Sequence, residues 1–300
     1  MRLRPNTLTF DETAGAVFHE LFDHPRYQQA APSEQARLGL AWAQALYAIE
    51  AQQPLDAYFP GLDLGVLCNG GALLDVGCYL GGKSVRWLEK YGGRQMCGID
   101  VAEHYLAAAG RLALERGVSA EFCVGVAEAI PFSAESFDVV FSVHTFEHVR
   151  HVSAALRECR RVLKPGGHLI VVFPPFYYPL GHHLDLVTRT PCLHWFFRYP
   201  DLLAAYFALL DARGAAASWY RRAETNPLPD EKGYSINGLS AGAFHRMIQA
   251  DWQLVYDGYR QARGGYSQHP VRRFLDNVLK RAQWPLLREI YEVAYVLQKV

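Results

Sequence analysis

Three groups of residues in this chain have types and spacings suited to chemistry. The first begins where the apolar run Ala72-Leu73-Leu74 meets Asp75-Val76 and a glycine-studded turn, Gly77-Cys78-Tyr79-Leu80-Gly81-Gly82. Lys83 to Leu88 then reads as the opening of a helix. A buried strand feeding a helix through such a turn is the nucleotide-binding corner of a doubly wound sheet. The second group is Asp100, which closes Met96-Cys97-Gly98-Ile99. A carboxylate there accepts two hydrogen bonds from ribose hydroxyls, and it also suits the N-cap of the segment that follows. The third group is histidine: His144 after Ser142-Val143, and His182-His183-Leu184-Asp185 after Pro179-Leu180-Gly181. Such groups move protons or orient an acceptor. Two histidines and a carboxylate are also metal-ligand types. Adjacent side chains diverge, however, so no metal is expected and acceptor contact is the preferred reading.

The elements that must position these groups alternate strand with helix. Strands are expected at Ala72–Val76, Met96–Asp100, Glu121–Val124, Phe137–Val143 and His168–Phe173, the fourth an apolar run typical of burial on both faces. Helices follow the first two strands, ending near Tyr91-Gly92-Gly93 and Arg116. Val152, Ala155, Leu156, Cys159 and Val162-Leu163 have helical spacing, with Lys164-Pro165-Gly166-Gly167 as the stop. Such alternation implies parallel strands joined by right-handed crossovers. Before the core, residues 7 to about 60 read as helical, with Leu38, Ala41, Ala45 and Ile49 on one face.

After the fifth strand the rhythm breaks. Residues 176–238 are rich in aromatics, including Phe176, Tyr177, Tyr178, Trp195, Phe196, Phe197, Trp219 and Tyr220, and are expected to form an inserted lid with short helices. Ser240 suits the cap of a helix through Ile248; Trp252–Tyr259 and Ile290–Leu297 read as strands, and Val271–Arg281 as a helix. The expected division is an N-terminal helical segment (1–68), a cofactor-binding core (69–175), the lid (176–238) and the remainder of the sheet (239–300).

Bulk properties narrow the partners. Lys and Arg number 30, Asp and Glu number 30, and half of the 300 residues are apolar, which fits a globular protein with a substantial core. The neutral balance argues against nucleic acid or an anionic membrane as partner. Met1-Arg2-Leu3-Arg4-Pro5-Asn6 lacks the apolar region of a signal peptide, and six cysteines form no CxxC pair. A cytoplasmic setting with reduced thiols, as a monomer or homodimer, is the expectation.

Taken together, Leu74-Asp75-Val76-Gly77-Cys78, Gly98-Ile99-Asp100, Gly125-Val126-Ala127-Glu128-Ala129-Ile130-Pro131-Phe132, Phe137-Asp138-Val139-Val140, Phe146-Glu147-His148-Val149 and Arg161-Val162-Leu163-Lys164-Pro165-Gly166-Gly167 resemble the class I S-adenosylmethionine-dependent methyltransferases, of the small-molecule group with the LDxGCGxG turn. The resemblance is close over about 72–175. It implies a Rossmann-like α/β sheet of seven strands, the last antiparallel, with S-adenosyl-L-methionine as cofactor. Gly77-Cys78-Tyr79 lacks the second glycine that pyrophosphate needs in GxGxxG, which disfavours a dinucleotide.

The residues implied at the cofactor are Asp75, Gly77, Cys78, Tyr79, Gly81, Asp100, Val101, Val126, Ala127, Glu128, Ser142 and Val143. Gly77 and Gly81 give the backbone close approach to the methionine part, and Asp75 orients its amino group. Val126 stands where the family commonly has an acid for the adenine amino group, leaving the Ala127 amide or Glu128 to substitute. Tyr79 replaces a glycine of the turn, either facing the methionine tail, where a cation–π contact with the sulfonium is open to it, or filling space outward.

His144, His182, His183 and Tyr79 are the candidates for catalysis, His144 first; Glu147-His148 is assigned structural or capping service. The expected reaction is in-line methyl transfer to a small molecule. A cyclase or lyase releasing methylthioadenosine, and an inactive cofactor-binding regulatory subunit, are the competing readings.

Overall fold

The computed structural model describes residues 29–184, 188, 190–212, 236–260 and 287–300. The sheet is built from β1 (Ala72–Val76), β2 (Gln95–Asp100), β3 (Ala120–Val124), β4 (Phe137–Val143), β5 (Leu163–Phe173), β6 (Trp252–Arg260) and β7 (Glu292–Lys299). Their order is β3-β2-β1-β4-β5-β7-β6. The first five strands run parallel, and β7 pairs antiparallel with both β5 and β6. This is the expected seven-stranded sheet with its antiparallel last strand. Strand order reverses between β1 and β4, so the crevice at their carboxyl ends is where ligands of such sheets sit.

Each β1 residue is buried, as a strand covered on both faces requires. Along β5, Leu169, Val171 and Phe173 join one core with helices α5 (Val152–Val162) and α8 (Ala241–Ile248). Ile170 and Val172 join the opposite core with α3 (Gly82–Tyr91), where Trp87, Leu88 and Tyr91 pack. Period-two alternation thus divides the interior into two layers.

Within the segment expected to be helical, α1 spans Pro32–Gln52, and a single turn of 3-10 helix follows at Leu55–Tyr58. Residues 1–28 and the helix expected at Val271–Arg281 lie outside the described residues. Leu55 and Phe59, with Leu64 and Cys68 of α2 (Leu64–Cys68), belong to the same core as Trp87. α1 packs on α3 and α4 (Glu103–Arg116), where Leu38, Trp42 and Ala43 meet Leu80, Val85 and Leu112. Both α3 and α4 end at a left-handed glycine, Gly92 and Gly117, the usual C-terminal stop.

The expected stop at Lys164–Gly167 lies instead within β5. The helix ends at Val162, and Leu163 turns directly extended to pair with Phe137. Val139 next pairs with His168, so the Pro-Gly-Gly stretch is absorbed as a register shift, with Gly166 at φ 74°. The strand expected from Ile290 starts at Glu292, after the short helix α9 (Leu287–Ile290).

After β5, the described part of the aromatic segment holds α6 (Leu193–Phe196) and α7 (Tyr199–Ala212). Leu184, Leu203, Tyr206 and Ile236 form a small core of its own with Phe176 and Tyr199. Ser240 caps α8 by accepting from the Ala243 amide, as its position implied. No helix among the described residues is long and apolar enough to cross a membrane.

Candidate functional site

The turn after β1 is fastened to the end of β2. Gly77 and Cys78 amides both donate to the Ile99 carbonyl, at 2.8 and 2.9 Å. The Tyr79 amide donates to Asp100 Oδ2 at 2.9 Å, while Ala102 donates to Oδ1 at 3.0 Å. Asp100 therefore clamps the turn but is not the N-cap expected of it: that position in α4 is Ala102, which has no side-chain cap bond. Burial raises its pKa and the backbone amides oppose that rise. Each oxygen keeps a lone pair for a ribose hydroxyl.

The two glycines of the turn are required for different reasons. Gly77 sits at φ 83°, and a side chain there would meet Thr145 Oγ1 at 2.2 Å. At Gly81, φ 70°, the obstruction would be Ala109 Cβ at 2.5 Å and Phe122 at 2.9 Å. Glycine at 81 thus answers to the packing of α4 and β3. The Tyr79 ring lies edge-on to Tyr105, 4.4 Å between centroids, against the cluster that joins α1 to α4.

Asp75 is 3 % exposed and accepts from Ser84 Oγ at 2.6 Å. Burial pushes its pKa up to about 7, with Ser84 opposing. A carboxyl that holds its proton when folded but not when unfolded stabilises the fold below the unfolded value of 3.8, and that stability is lost as pH rises through about 7. Asp75→Asn is therefore expected to raise the melting temperature of the cofactor-free protein more at pH 8 than at pH 5, and scanning calorimetry at both would measure it. An equal change at both pH values would contradict the assignment.

In the loop after β3, Val126 bridges Ala129 and Ala127 is buried. Glu128 Oε1 accepts the His151 amide at 3.0 Å, at the start of α5. One oxygen of its carboxylate is thus engaged at the start of α5. Val101 leads from Asp100 into α4. Ser142 is buried and its hydroxyl donates to the Val76 carbonyl at 3.3 Å, stitching β4 to β1. Val143 then delivers the chain to His144.

His144 has φ 60°, a left-handed conformation that costs a side-chain-bearing residue about 1 kcal/mol or more. Its amide still pairs with the Val172 carbonyl at 2.8 Å. Nε2 lies 3.3 Å from Glu292 Oε1, and the Tyr58 hydroxyl donates to Glu292 Oε2 at 2.6 Å. Burial acts to raise the Glu292 pKa; His144, then Tyr58, outweigh it and hold the carboxyl below its ordinary value. Neither partner was named from sequence. Tyr58 and Glu292 stand 234 positions apart, with no local pattern to announce them.

Glu147 was assigned structural service, and its backbone provides it: Asn237 donates to the Glu147 carbonyl at 2.9 Å and to Phe146 and Val149 carbonyls at 2.7 Å. The side chain is something else. It is 3 % exposed, burial pushes its pKa up to about 7, and Oε2 has no hydrogen-bond partner among the described residues.

The paired histidines separate. His182 is fully buried; Nδ1 accepts from the Leu184 amide and Nε2 lies 3.0 Å from the Thr190 carbonyl. Both nitrogens are committed to the turn, which corrects its candidacy for catalysis. His183, at φ 50°, brings its ring 5.3 Å from that of His148. Asp185 lies outside the described residues, and no three metal-ligating side chains group among those described.

Comparison with known proteins agrees with this arrangement. Residues 74–171 match the family described as a methyltransferase domain. The 2-methyl-6-phytyl-1,4-hydroquinone methyltransferase of Synechocystis sp. is 40 % identical over 115 residues, which is 38 % of this chain and 35 % of that protein. The ubiquinone biosynthesis O-methyltransferase of Pseudomonas fluorescens is 39 % identical over 109 residues, 36 % and 46 % of the two chains. The chain thus spans less than half the length of these relatives. A chain from the complex between the Haloferax volcanii Trm112 methyltransferase activator and a methyltransferase shares the fold, with TM-score 0.50 and 14 % identity over 87 % of this chain and 97 % of that one. The matched segment, the strand order and the Asp100-clamped turn agree that residues 74–171 form a methyltransferase domain of the class I S-adenosylmethionine-dependent kind.

Proposed function

We propose that this protein transfers the methyl group of S-adenosylmethionine to a small-molecule acceptor by in-line displacement. The observation that carries the reading is the turn at Gly77–Tyr79 held by the Asp100 carboxylate at the crevice between β1, β2 and β4. The cofactor supplies an electrophilic methyl on a sulfonium. Asp100 holds the ribose, Asp75 and the Gly77-Cys78 backbone the methionine part, and the Ala127 amide the adenine, with Val101 and Val126 alongside. Ser142 and Val143 bring His144 to the acceptor side, and the aromatic segment after β5 contributes the lid. Alignment supplies most of the acceleration. The curated relatives named above are a hydroquinone methyltransferase and an O-methyltransferase of ubiquinone biosynthesis, which supports a small acceptor.

Calorimetric titration with S-adenosylmethionine, followed by incubation with the cofactor alone and then with acceptor, tests this. Binding and acceptor-dependent release of S-adenosylhomocysteine are expected. Methylthioadenosine formed without acceptor would replace the transfer reading with the cyclase or lyase one, and absence of binding would leave the regulatory one.

A further inference from the structure

His144, Glu292 and Tyr58 come from three separate parts of the chain: the end of β4, the first residue of β7 and the 3-10 turn before α2. Their contacts form an ordered series. Glu292 is 7 % exposed; one of its oxygens takes the Tyr58 hydroxyl and the other faces His144 Nε2. The His144 side chain is 40 % exposed, so its free edge opens outward from this anchor. With Nε2 directed at a carboxylate, the neutral ring carries its hydrogen there and presents Nδ1 as an acceptor. A buried acid that orients an imidazole, steadied in turn by a third group, is the arrangement a general base requires. The left-handed backbone at His144 is a strained conformation retained beside the crevice.

We propose that Glu292 and Tyr58 are positioning residues that fix His144 as the proton acceptor, and that the methylated atom is a hydroxyl oxygen of a protic acceptor. This rests on the methyl-transfer reading above. The acceptor class follows from nucleophilicity. A neutral amine attacks through its lone pair and sheds a proton afterwards, and a thiol ionises at about pH 8.5 unaided. A hydroxyl oxygen gains most from a base that takes its proton as the new bond forms. In the balanced step, the hydroxyl proton passes to His144 Nδ1 and an oxygen electron pair bonds the methyl carbon. The carbon–sulfur bond breaks with its pair going to sulfur, and the imidazolium returns its proton to water. The charged groups facing His144 are Glu292 from β7 and Glu147 from the loop after β4; Lys83 of α3 acts on both carboxylates.

Two measurements on the full chain test the proposal. Imidazole nitrogen-15 spectra of the cofactor-free protein, with His144 assigned through His144→Gln, are expected to show the Nε2–H tautomer. Glu292→Gln should shift that signal strongly and Tyr58→Phe weakly. An Nδ1–H tautomer, or a signal indifferent to Glu292→Gln, overturns the positioning role. In the second, methyl-13C S-adenosylmethionine is incubated with a cell-extract metabolite fraction and a panel of phenols, and the carbon shift of the transferred methyl identifies the atom that received it. O-methyl product is expected, with kcat reduced roughly tenfold to a hundredfold in Glu292→Gln and the KM for cofactor unchanged. N-, S- or C-methyl product, or unchanged kcat, overturns the proposal. Cofactor binding with no methyl transferred to anything overturns the transfer reading itself, and this proposal with it. If Glu292→Gln does not fold, Tyr58→Phe carries the same readouts at smaller amplitude.

Discussion

Asp100→Ala is expected to weaken S-adenosylmethionine binding by roughly a hundredfold or more while leaving the protein folded, as titration calorimetry alongside a melting curve would show. A hydrogen bond to a charged group contributes about 1.5–3 kcal/mol, and the carboxylate offers the ribose two of them. The loss has a second component. Asp100 Oδ2 holds the Tyr79 amide and Oδ1 holds that of Ala102, so the substitution frees the turn that approaches the methionine part. Asp100→Asn separates the components, because one oxygen remains to accept while the other position becomes a donor. Its loss should be intermediate, about tenfold. The turn keeps its other bonds, from the Gly77 and Cys78 amides to the Ile99 carbonyl, so the protein should stay folded. Affinity within threefold of wild type in Asp100→Ala would contradict the ribose assignment.

The parts of the fold legible in sequence are those governed by local chemistry. β1 and β4 have the bounds expected of them, because an apolar run with turn residues at each end leaves little freedom in register. The cofactor turn and Asp100 were legible for the same reason: strand end, turn and acid are fixed by short-range geometry. The acceptor side was legible only in part. His144 could be named from its place after β4, whereas Glu292 and Tyr58 depend on the antiparallel return of β7 and on a turn of the N-terminal segment. No spacing rule brings residues 234 apart together. Residue type alone misled at His182, whose ring nitrogens are consumed by the Leu184 amide and the Thr190 carbonyl nearby. Such local bonding is what histidine and carboxylate side chains in turns most readily do.

The largest stability loss is expected from Trp87→Ala, at about 3–5 kcal/mol in denaturant unfolding, or a melting temperature lower by roughly 10 °C. Trp87 is fully buried and stacks on Phe141 of β4 with 4.8 Å between centroids. Its Nε1 donates at 2.8 Å to Glu50 Oε1, which also accepts the Leu55 amide at 2.7 Å. Glu50 is 6 % exposed, and burial raises its pKa, with Trp87 the largest opposing contribution. Truncation therefore opens a cavity beneath the sheet and also strips a donor from a buried carboxyl, a loss of about 1–3 kcal/mol that overlaps the first. Trp87→Phe keeps most of the ring and removes the donor, so its smaller loss measures the second effect. Loss below about 1 kcal/mol in Trp87→Ala would show that α1 does not hold the cofactor helix as the contacts imply. That hold is close: a side chain at Gly82, the first residue of α3, would meet the Ala43 carbonyl of α1 at 2.5 Å. The contrast with Asp100→Ala then separates scaffold from site. At 10 °C, where Trp87→Ala remains folded, its cofactor affinity should return to within a few-fold of wild type, because Asp100 and the Gly77–Tyr79 turn stand on β1 and β2 and keep their bonds to each other. Asp100→Ala should show no such recovery at any temperature.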